Sequence, residues 1–345
     1  MKRAAVKGTM AGVPENGAPT RRDAQEVLSR CAGKRVLVVG DLMLDRYVCG
    51  KVTRISPEAP VPVVEVTDEH ALPGGAANVA RNVQALGGKA IVAGVVGRDD
   101  VGRELLGLLA DEGIAADGVI PHETFQTAMK TRILAERQQV VRVDRECRRE
   151  VLADQAERMA GQIAELAEDA AAVIIEDYGK GVVTQQAVDA AVRTARRRGI
   201  PVALDPKEGH DLRVEALTLA TPNYREACWA AGVAAQADVE EETLRRVGET
   251  LRAKWHVAVL IVTLGPLGMY VVAESGPATV IAAEAREVFD VSGAGDTVIA
   301  AALLSLLGGA SPLTAATLAN HAAGVVVGKL GAATCSTQEL LKAIG

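Results

Sequence analysis

Residues 290–297 read DVSGAGDT: two glycines and an alanine set between two carboxylates, followed by the uncharged run VIAAALLSLL. Glycines at 293 and 295 let successive backbone N–H groups turn toward one point where a helix begins, and such a helix start favours an anion. A carboxylate at that mouth, Asp296, is repelled by a bound phosphoryl group unless it has a task, and accepting a proton from an attacking hydroxyl is such a task. Asp296 could equally cap the helix that starts with Thr297 and Val298. The residues alone leave both readings open. No GxxxxGK[ST] occurs, so the turn is not a Walker A loop.

Three other stretches carry polar groups beside glycine. In PGGAANVARNVQALGG (73–88), Ala76, Val79, Ala80, Val83 and Leu86 recur at helical spacing and put Asn78, Arg81 and Asn82 on other faces. The glycine pair before that helix either offers free amides or is merely a tight turn. VTLGPLGM (262–269) ends a strong strand in a glycine-rich turn against which a nucleotide could lie. TPNYREA (221–227) sets Asn223 and Glu226 three residues apart, which also fits a plain helix cap with its capping-box partner.

The elements that must position these groups alternate along the chain. Short β-branched runs, RVLVVGD (35–41), IVAGVVG (91–97), AAVIIED (171–177), PVALDPK (201–207), LTLATPN (217–223) and VAVLIVTLG (257–265), are separated by helical patterns. That rhythm predicts an α/β fold, a doubly wound, mostly parallel sheet flanked by helices. Asp41, Asp177, Asp205, Asn223 and Gly265 fall at strand ends and should converge in the crevice at the carboxyl edge. Two stretches, 47–69 and 126–146, break the rhythm. Prolines in the first restrict it to edge or bulged strands, which suits a small β-lid.

The 345-residue chain is 49 % hydrophobic but only 2 % aromatic, so its core is aliphatic. A net charge of −6 and scarce aromatics argue against a nucleic-acid partner. The five cysteines are far apart with no CxxC pair, and read as reduced thiols of a cytoplasmic protein. Residues 1–24 lack the apolar core of a secretion signal and read as a disordered tail. Residues 297–328 carry no charge, but GGASP interrupts them, so two buried helices are expected rather than a membrane span.

In this order, GGAAN, PNYRE, TLGPLG and DVSGAGD resemble the signatures of the PfkB (ribokinase-like) carbohydrate kinases over roughly residues 34–345. VLVVGDLMLDRYVCGKVTRISPEAPVPVVEV, EDYGKG and LDPK are similar, more narrowly, to the bacterial heptose-7-phosphate kinases of lipopolysaccharide core synthesis, which are often fused to a nucleotidyltransferase. The end at Gly345 resembles the single-function form. The resemblance implies one kinase domain, 25–345, with lid segments at about 46–70 and 124–147.

It further implies Asp296 as catalytic base and the amides of Gly293, Ala294 and Gly295 as the anion hole. Asp45, Gly74, Gly75 and Asn78 match sugar-binding positions, with Asp177 a further candidate. Asn223 and Glu226 match an element associated with Mg²⁺ and nucleotide phosphates, and Thr263, Gly265, Gly268 and Asn320 match the ATP site. Asp290 and Ser292 match positions that hold a monovalent cation such as K⁺ in some members. Val291 replaces the threonine often found there. A sugar phosphate needs cations away from the anion hole, and Arg54, Lys130, Arg132, Arg142, Lys180 and Lys207 supply them, with Arg142 favoured for bidentate geometry and Lys207 beside the nucleotide. The family's lid strands often pair between subunits, so a homodimer is expected, with ATP and a small sugar phosphate as ligands and neither nucleic acid nor membrane as partner.

Overall fold

A computed structural model describes residues 19–136, 138–146, 153–284 and 288–344. Helix α1 (Arg21–Cys31) leads into strand β1 (Arg35–Gly40), the long strands β2 (Leu42–Ile55) and β3 (Pro62–Gly75), helix α2 (Ala76–Ala85), β4 (Lys89–Gly97), α3 (Asp100–Asp111) and β5 (Ala115–His122). Next come β6 (Ala128–Ala135), β7 (Gln138–Arg145), α4 (Ala153–Glu168), β8 (Ala172–Glu176), α5 (Gln185–Arg198), β9 (Val202–Asp205), β10 (Leu219–Ala220), α6 (Tyr224–Ala230) and α7 (Glu241–Trp255). The chain closes with β11 (Val259–Thr263), β12 (Met269–Ala273), β13 (Thr279–Ile281), α8 (Ala294–Leu307), α9 (Pro312–Val326) and α10 (Thr337–Ile344).

Nine strands form the main sheet in the order β13-β12-β11-β10-β9-β8-β1-β4-β5. All neighbours from β11 to β5 run parallel, and only β12 and β13 are antiparallel additions. Each central strand is covered on both faces, which explains its unbroken apolar composition. Along β1, Val36 and Val38 pack into one core with α2, α8 and α9, whereas Leu37 and Val39 pack into the other with α4, α5 and α7. Order reverses at β1, which has β4 on one side and β8 on the other; in open α/β sheets that point opens a ligand crevice at the carboxyl edge.

The second sheet, β3-β2-β6-β7, is made from the two stretches that broke the α/β rhythm. Its long strands β2 and β3 pair antiparallel with register shifts after Cys49 and Val52, the irregularity that a proline-bearing hairpin requires. β2 follows β1 after the single residue Asp41, so the second sheet grows directly from the carboxyl edge of the first.

Side-chain caps set several helix starts. Thr20 and Asp23 form a reciprocal capping box on α1, Thr184 caps α5, and Ser311 precedes Pro312 at the first turn of α9. Helix α1 therefore takes in residues 21–24, which were expected in the tail; residues 1–18 of that tail lie outside the described residues. Before the glycine-rich turn, Val288–Asp290 is irregular, and residues 285–287 lie outside the described residues. LTLATPN shortens to the two residues of β10, because Pro222 cannot donate to a ladder and Asn223 turns to cap α6. The uncharged stretch forms α8 and α9, and among the described residues no helix is long and apolar enough to cross a membrane.

Candidate active site

Asp296 stands in the first turn of α8, 3 % exposed, yet its carboxylate is not spent on its own helix. Asn78 Nδ2 donates to Oδ2 at 2.6 Å, and the Tyr178 hydroxyl donates to Oδ1 at 2.7 Å. Burial, more than these two donors, sets its acidity, and pushes the carboxyl up to about 6. Asp45 adds to the rise, so the two carboxylates sense each other across the crevice.

The glycine-rich turn is shaped around this contact. Gly293 has φ +75°, and a Cβ there would lie 2.5 Å from Asn78 Nδ2. Only glycine fits both the left-handed backbone and the approach of that amide. Among the described residues, the N–H groups of Gly293 and Gly295 have no hydrogen-bond partner, whereas Ala294 N–H donates at 3.3 Å to Val291 O. Of the three amides expected to face an anion, that of Ala294 is thus already engaged. Thr297 Oγ1 donates to Asn82 Oδ1 at 2.9 Å, and Asn82 Nδ2 donates to Asn78 O at 3.0 Å. Asn78 and Asn82 therefore lock α2 against α8.

Asp41 is fully buried and accepts from the amides of Tyr178, Lys180 and Val182 at 2.8, 3.1 and 3.0 Å. This carboxylate organises the EDYGKG loop and so aims Tyr178 at Asp296. Asp177, next along, accepts from Gly179 N at 2.8 Å and faces His210 Nδ1 at 2.7 Å. Asp41 was expected in the crevice but given no role, and Tyr178 was not singled out from the sequence. Strand-end Asp41 was legible as a crevice residue, but a tyrosine inside a loop carries no spacing signal.

Glu176, opposite Asp205 in the β8–β9 register, is 2 % exposed, and its Oε2 has no hydrogen-bond partner among the described residues. Burial raises both carboxyls well above the ordinary range, reinforced for Glu176 by Asp205 and for Asp205 by Glu226 and Asp296. Four carboxyl groups, Glu176, Asp205, Glu226 and Asp296, thus crowd one carboxyl edge. An orphaned buried oxygen among all-oxygen donors fits a hard dication such as Mg²⁺.

Asn223 is the N-cap of α6: its Oδ1 accepts from Arg225 N and Glu226 N, and Glu226 Oε2 accepts from Asn223 N. The capping reading of NxxE is therefore realised. The other Glu226 oxygen, Oε1, faces Lys207 Nζ at 3.3 Å, and Lys207 lies 6.0 Å from the Tyr178 ring centre.

Two cavities lie against neighbours of Asp296, which itself lines neither. One, about 380 Å³, is lined by Thr263, Gly265, Gly268, Gly295 and Asn320, with Val298 and Val327 on its apolar wall. Gly268, at φ +98°, is demanded there, since a Cβ would fall 1.9 Å from Ile281 O. Asn320 is anchored by donating to Ala282 O at 2.7 Å. The other cavity, about 770 Å³, is lined by Glu146, Tyr178, Lys180, Lys207 and His210.

On the second sheet, Asp45 pairs with Arg132, whose guanidinium lies 5.3 Å from the Tyr47 ring centre. Gly74 is the close-approach position here: a Cβ would be 2.3 Å from Asp45 Oδ2. Gly75, at φ +61°, abuts Asp41 O in the same way. The arginine that reaches the buried Asp45 is Arg132. Arg142, the one favoured from sequence, is half exposed on β7 and donates to both oxygens of Asp144. Lys130 and Lys180 converge on Glu146 at 2.9 and 2.8 Å. Arg54 is exposed on the outer part of β2. Asp290 accepts from Ser292 N at 2.9 Å and Gly331 N at 3.1 Å, tying the loop before α8 to the loop after α9.

Residues 34–339 match the model of the pfkB family carbohydrate kinases. The chain belongs to that family. It is 41 % identical over 325 residues to "Bifunctional protein HldE" of Geobacter sulfurreducens, covering 94 % of this chain and 66 % of that protein. The protein of that name from Caulobacter is 44 % identical over 310 residues, 90 % of this chain and 62 % of its own length. The chain thus spans just under two thirds of the length of these relatives. Among solved structures, phosphofructokinase-2 from Escherichia coli in complex with potassium superposes with a TM-score of 0.74 at 21 % identity, covering 91 % of this chain and 98 % of that one. Arabidopsis thaliana ribokinase complexed with ribose and ATP gives 0.67 at 20 % identity, with 91 % and 99 % covered. The fold is ribokinase-like.

Proposed function

We propose that this member of the carbohydrate kinases transfers the γ-phosphoryl group of ATP to the anomeric hydroxyl of D-glycero-D-manno-heptose 7-phosphate, giving the 1,7-bisphosphate of lipopolysaccharide core synthesis. The observation that carries the kinase reading is the buried Asp296 carboxylate held by Asn78 and Tyr178 and preceded along the chain by the free amide of Gly295, with Gly295 bordering one cavity and Tyr178 another. The narrower substrate rests on the resemblance of RISPEAPVPV, EDYGKG and LDPK to heptose-7-phosphate kinases, and the HldE relatives are consistent with it.

In this reading the nucleotide occupies the smaller, valine-walled cavity with its phosphates toward Gly293 and Gly295, and the sugar lies against Asp45, Gly74, Gly75 and Asn78. Asp296 Oδ accepts the hydroxyl proton as the oxygen attacks phosphorus and the bond to the ADP oxygen breaks. A carboxyl poised near 6 is ionised at neutral pH yet more basic than an exposed aspartate, which suits that step. Asn78 and Tyr178 hold it in position. Glu226, Asp205 and Glu176 would hold Mg²⁺, with Asn223 acting through the cap that orients Glu226; the ion would neutralise phosphate charge. Lys130 and Lys180 share Glu146, and Lys130 and Arg142 share Asp144, so three cationic groups face two carboxylates where the second phosphate would lie. Asp290 and Ser292 are the candidate monovalent-cation residues, and the second sheet is the candidate lid and dimer surface. Val52, Ile55, Val66, Val141 and Val143 leave that sheet with exposed apolar side chains.

The test is ADP release across a panel of heptose 7-phosphate, ribose, fructose and fructose 6-phosphate. At least tenfold higher kcat/KM for the heptose is expected; a preference for another sugar moves the chain to another kinase of the family, and no sugar-dependent turnover removes the kinase reading.

A further inference from the structure

We propose that Cys49, Asp68 and His70 form a binding site for a borderline transition-metal dication of the Zn²⁺ type, on the crevice side of the second sheet. The strand register builds it. Cys49 lies opposite Asp68 and Tyr47 opposite His70, so the period-two alternation of β2 and β3 puts all four side chains on one face. The Cys49 Sγ, an Asp68 carboxylate oxygen and a His70 ring nitrogen lie within 4.8 Å of one another. No long-range rearrangement is needed to bring them around one ion.

A non-ligand contact holds His70, and strand geometry aims Cys49. The Tyr47 ring stacks on His70 at 5.3 Å with 15° between planes, and the Tyr47 hydroxyl is itself fixed by Ala332 N at 3.1 Å. The register shift just after Cys49 gives its strand the local bend that re-aims a side chain. Such support around ligands is what makes a metal site stiff.

Donor chemistry selects the ion. Thiolate, imidazole and carboxylate together suit Zn²⁺ or Co²⁺, whereas Mg²⁺ and Ca²⁺ prefer oxygen alone. Three protein ligands leave a fourth position for water, and the 42 % exposure of His70 and 64 % exposure of Asp68 give the ion a way in. His70 Nδ1 faces Asp68 Oδ2 at 2.9 Å and so carries a proton against that carboxylate. The incoming ion takes the place of this proton, which returns to the ring at Nε2 through solvent so that a neutral imidazole binds through Nδ1, and the proton of the Cys49 thiol leaves to solvent. The site bridges β2 and β3 two strand positions from Asp45, independently of any reading of the crevice chemistry.

Titrating the intact protein with Co²⁺ alone, in excess Mg²⁺, tests this. A cobalt–thiolate charge-transfer band should saturate at one ion per chain. It should vanish in Cys49→Ser, persist in Cys147→Ser, and require at least tenfold more Co²⁺ in His70→Ala, with the metal-free melting temperatures checked to show that each variant folds. Absence of the band in wild type, its survival in Cys49→Ser, its loss in Cys147→Ser, or its removal by Mg²⁺ overturns the proposal.

Discussion

The Tyr178 hydroxyl donates to Asp296 Oδ1 across 118 residues of sequence, and this bond, with that from Asn78, is what holds a buried carboxylate at the start of α8. Tyr178 is positioned in turn by Asp41, which takes three amides of its loop. A carboxylate at the end of β1 therefore governs the aim of a tyrosine that follows β8.

Activity should depend on pH through Asp296. The ionised form is the base and burial lifts its carboxyl to about 6, so kcat/KM should rise with pH through that value and level off above it. Donation from Tyr178 lowers the carboxyl, and its loss raises it. In Tyr178→Phe the acid limb should move to higher pH, with kcat down about tenfold at neutral pH. An unmoved limb in pH–rate profiles would deny Tyr178 this positioning role.

Stability should carry the opposite sign. The folded carboxyl sits near 6, above its unfolded value of 3.8, so the ionised form costs stability fully above the former and not at all below the latter. Denaturant unfolding of wild type and Asp296→Asn should show wild type gaining relative to the variant as pH falls from about 6 to about 4.

Gly293→Ala should damage the site by steric means alone. The added methyl meets Asn78 Nδ2 and a left-handed backbone, costing about 1–2 kcal/mol by thermal or denaturant unfolding. Displacing Asn78 from Asp296 should lower kcat more than tenfold. Wild-type turnover would show that the turn relaxes without disturbing the carboxylate.

Much of the fold was legible because its signals are local. Aliphatic runs of strand length separated by helical patterns announce a parallel sheet, and prolines in 47–69 set the second sheet apart. DVSGAGD and GGAAN were legible as motifs, but the contact of Asn78 with Asp296 joins residues 218 apart and has no trace in spacing. Nothing local distinguishes Arg132 from Arg142 either, since they are paired on adjacent strands; burial against Asp45 decides between them. Glu176 was not singled out within AAVIIED, and only packing leaves its Oε2 without a partner among the described residues.

Removing the ammonium groups beside Glu146 should separate the two substrates. Lys180→Ala, and more so the double variant with Lys130→Ala, should raise KM for heptose 7-phosphate roughly tenfold or more, the loss of about 1.4 kcal/mol or greater. KM for ATP should hold. An unchanged sugar KM would move the phosphate grip elsewhere on the crevice wall.

Replacing K⁺ with choline should lower turnover if Asp290 and Ser292 hold a monovalent cation, and Asp290→Ala should abolish the difference. Equal rates in the two salts would remove the cation from the account.

The most direct measurement is sugar-dependent ADP formation by Asp296→Asn beside ATP binding by the same protein. The account predicts kcat lowered by at least a thousandfold, with ATP affinity within a few-fold of wild type. Turnover near wild type would contradict it, because the proton would then be leaving without the Asp296 carboxylate.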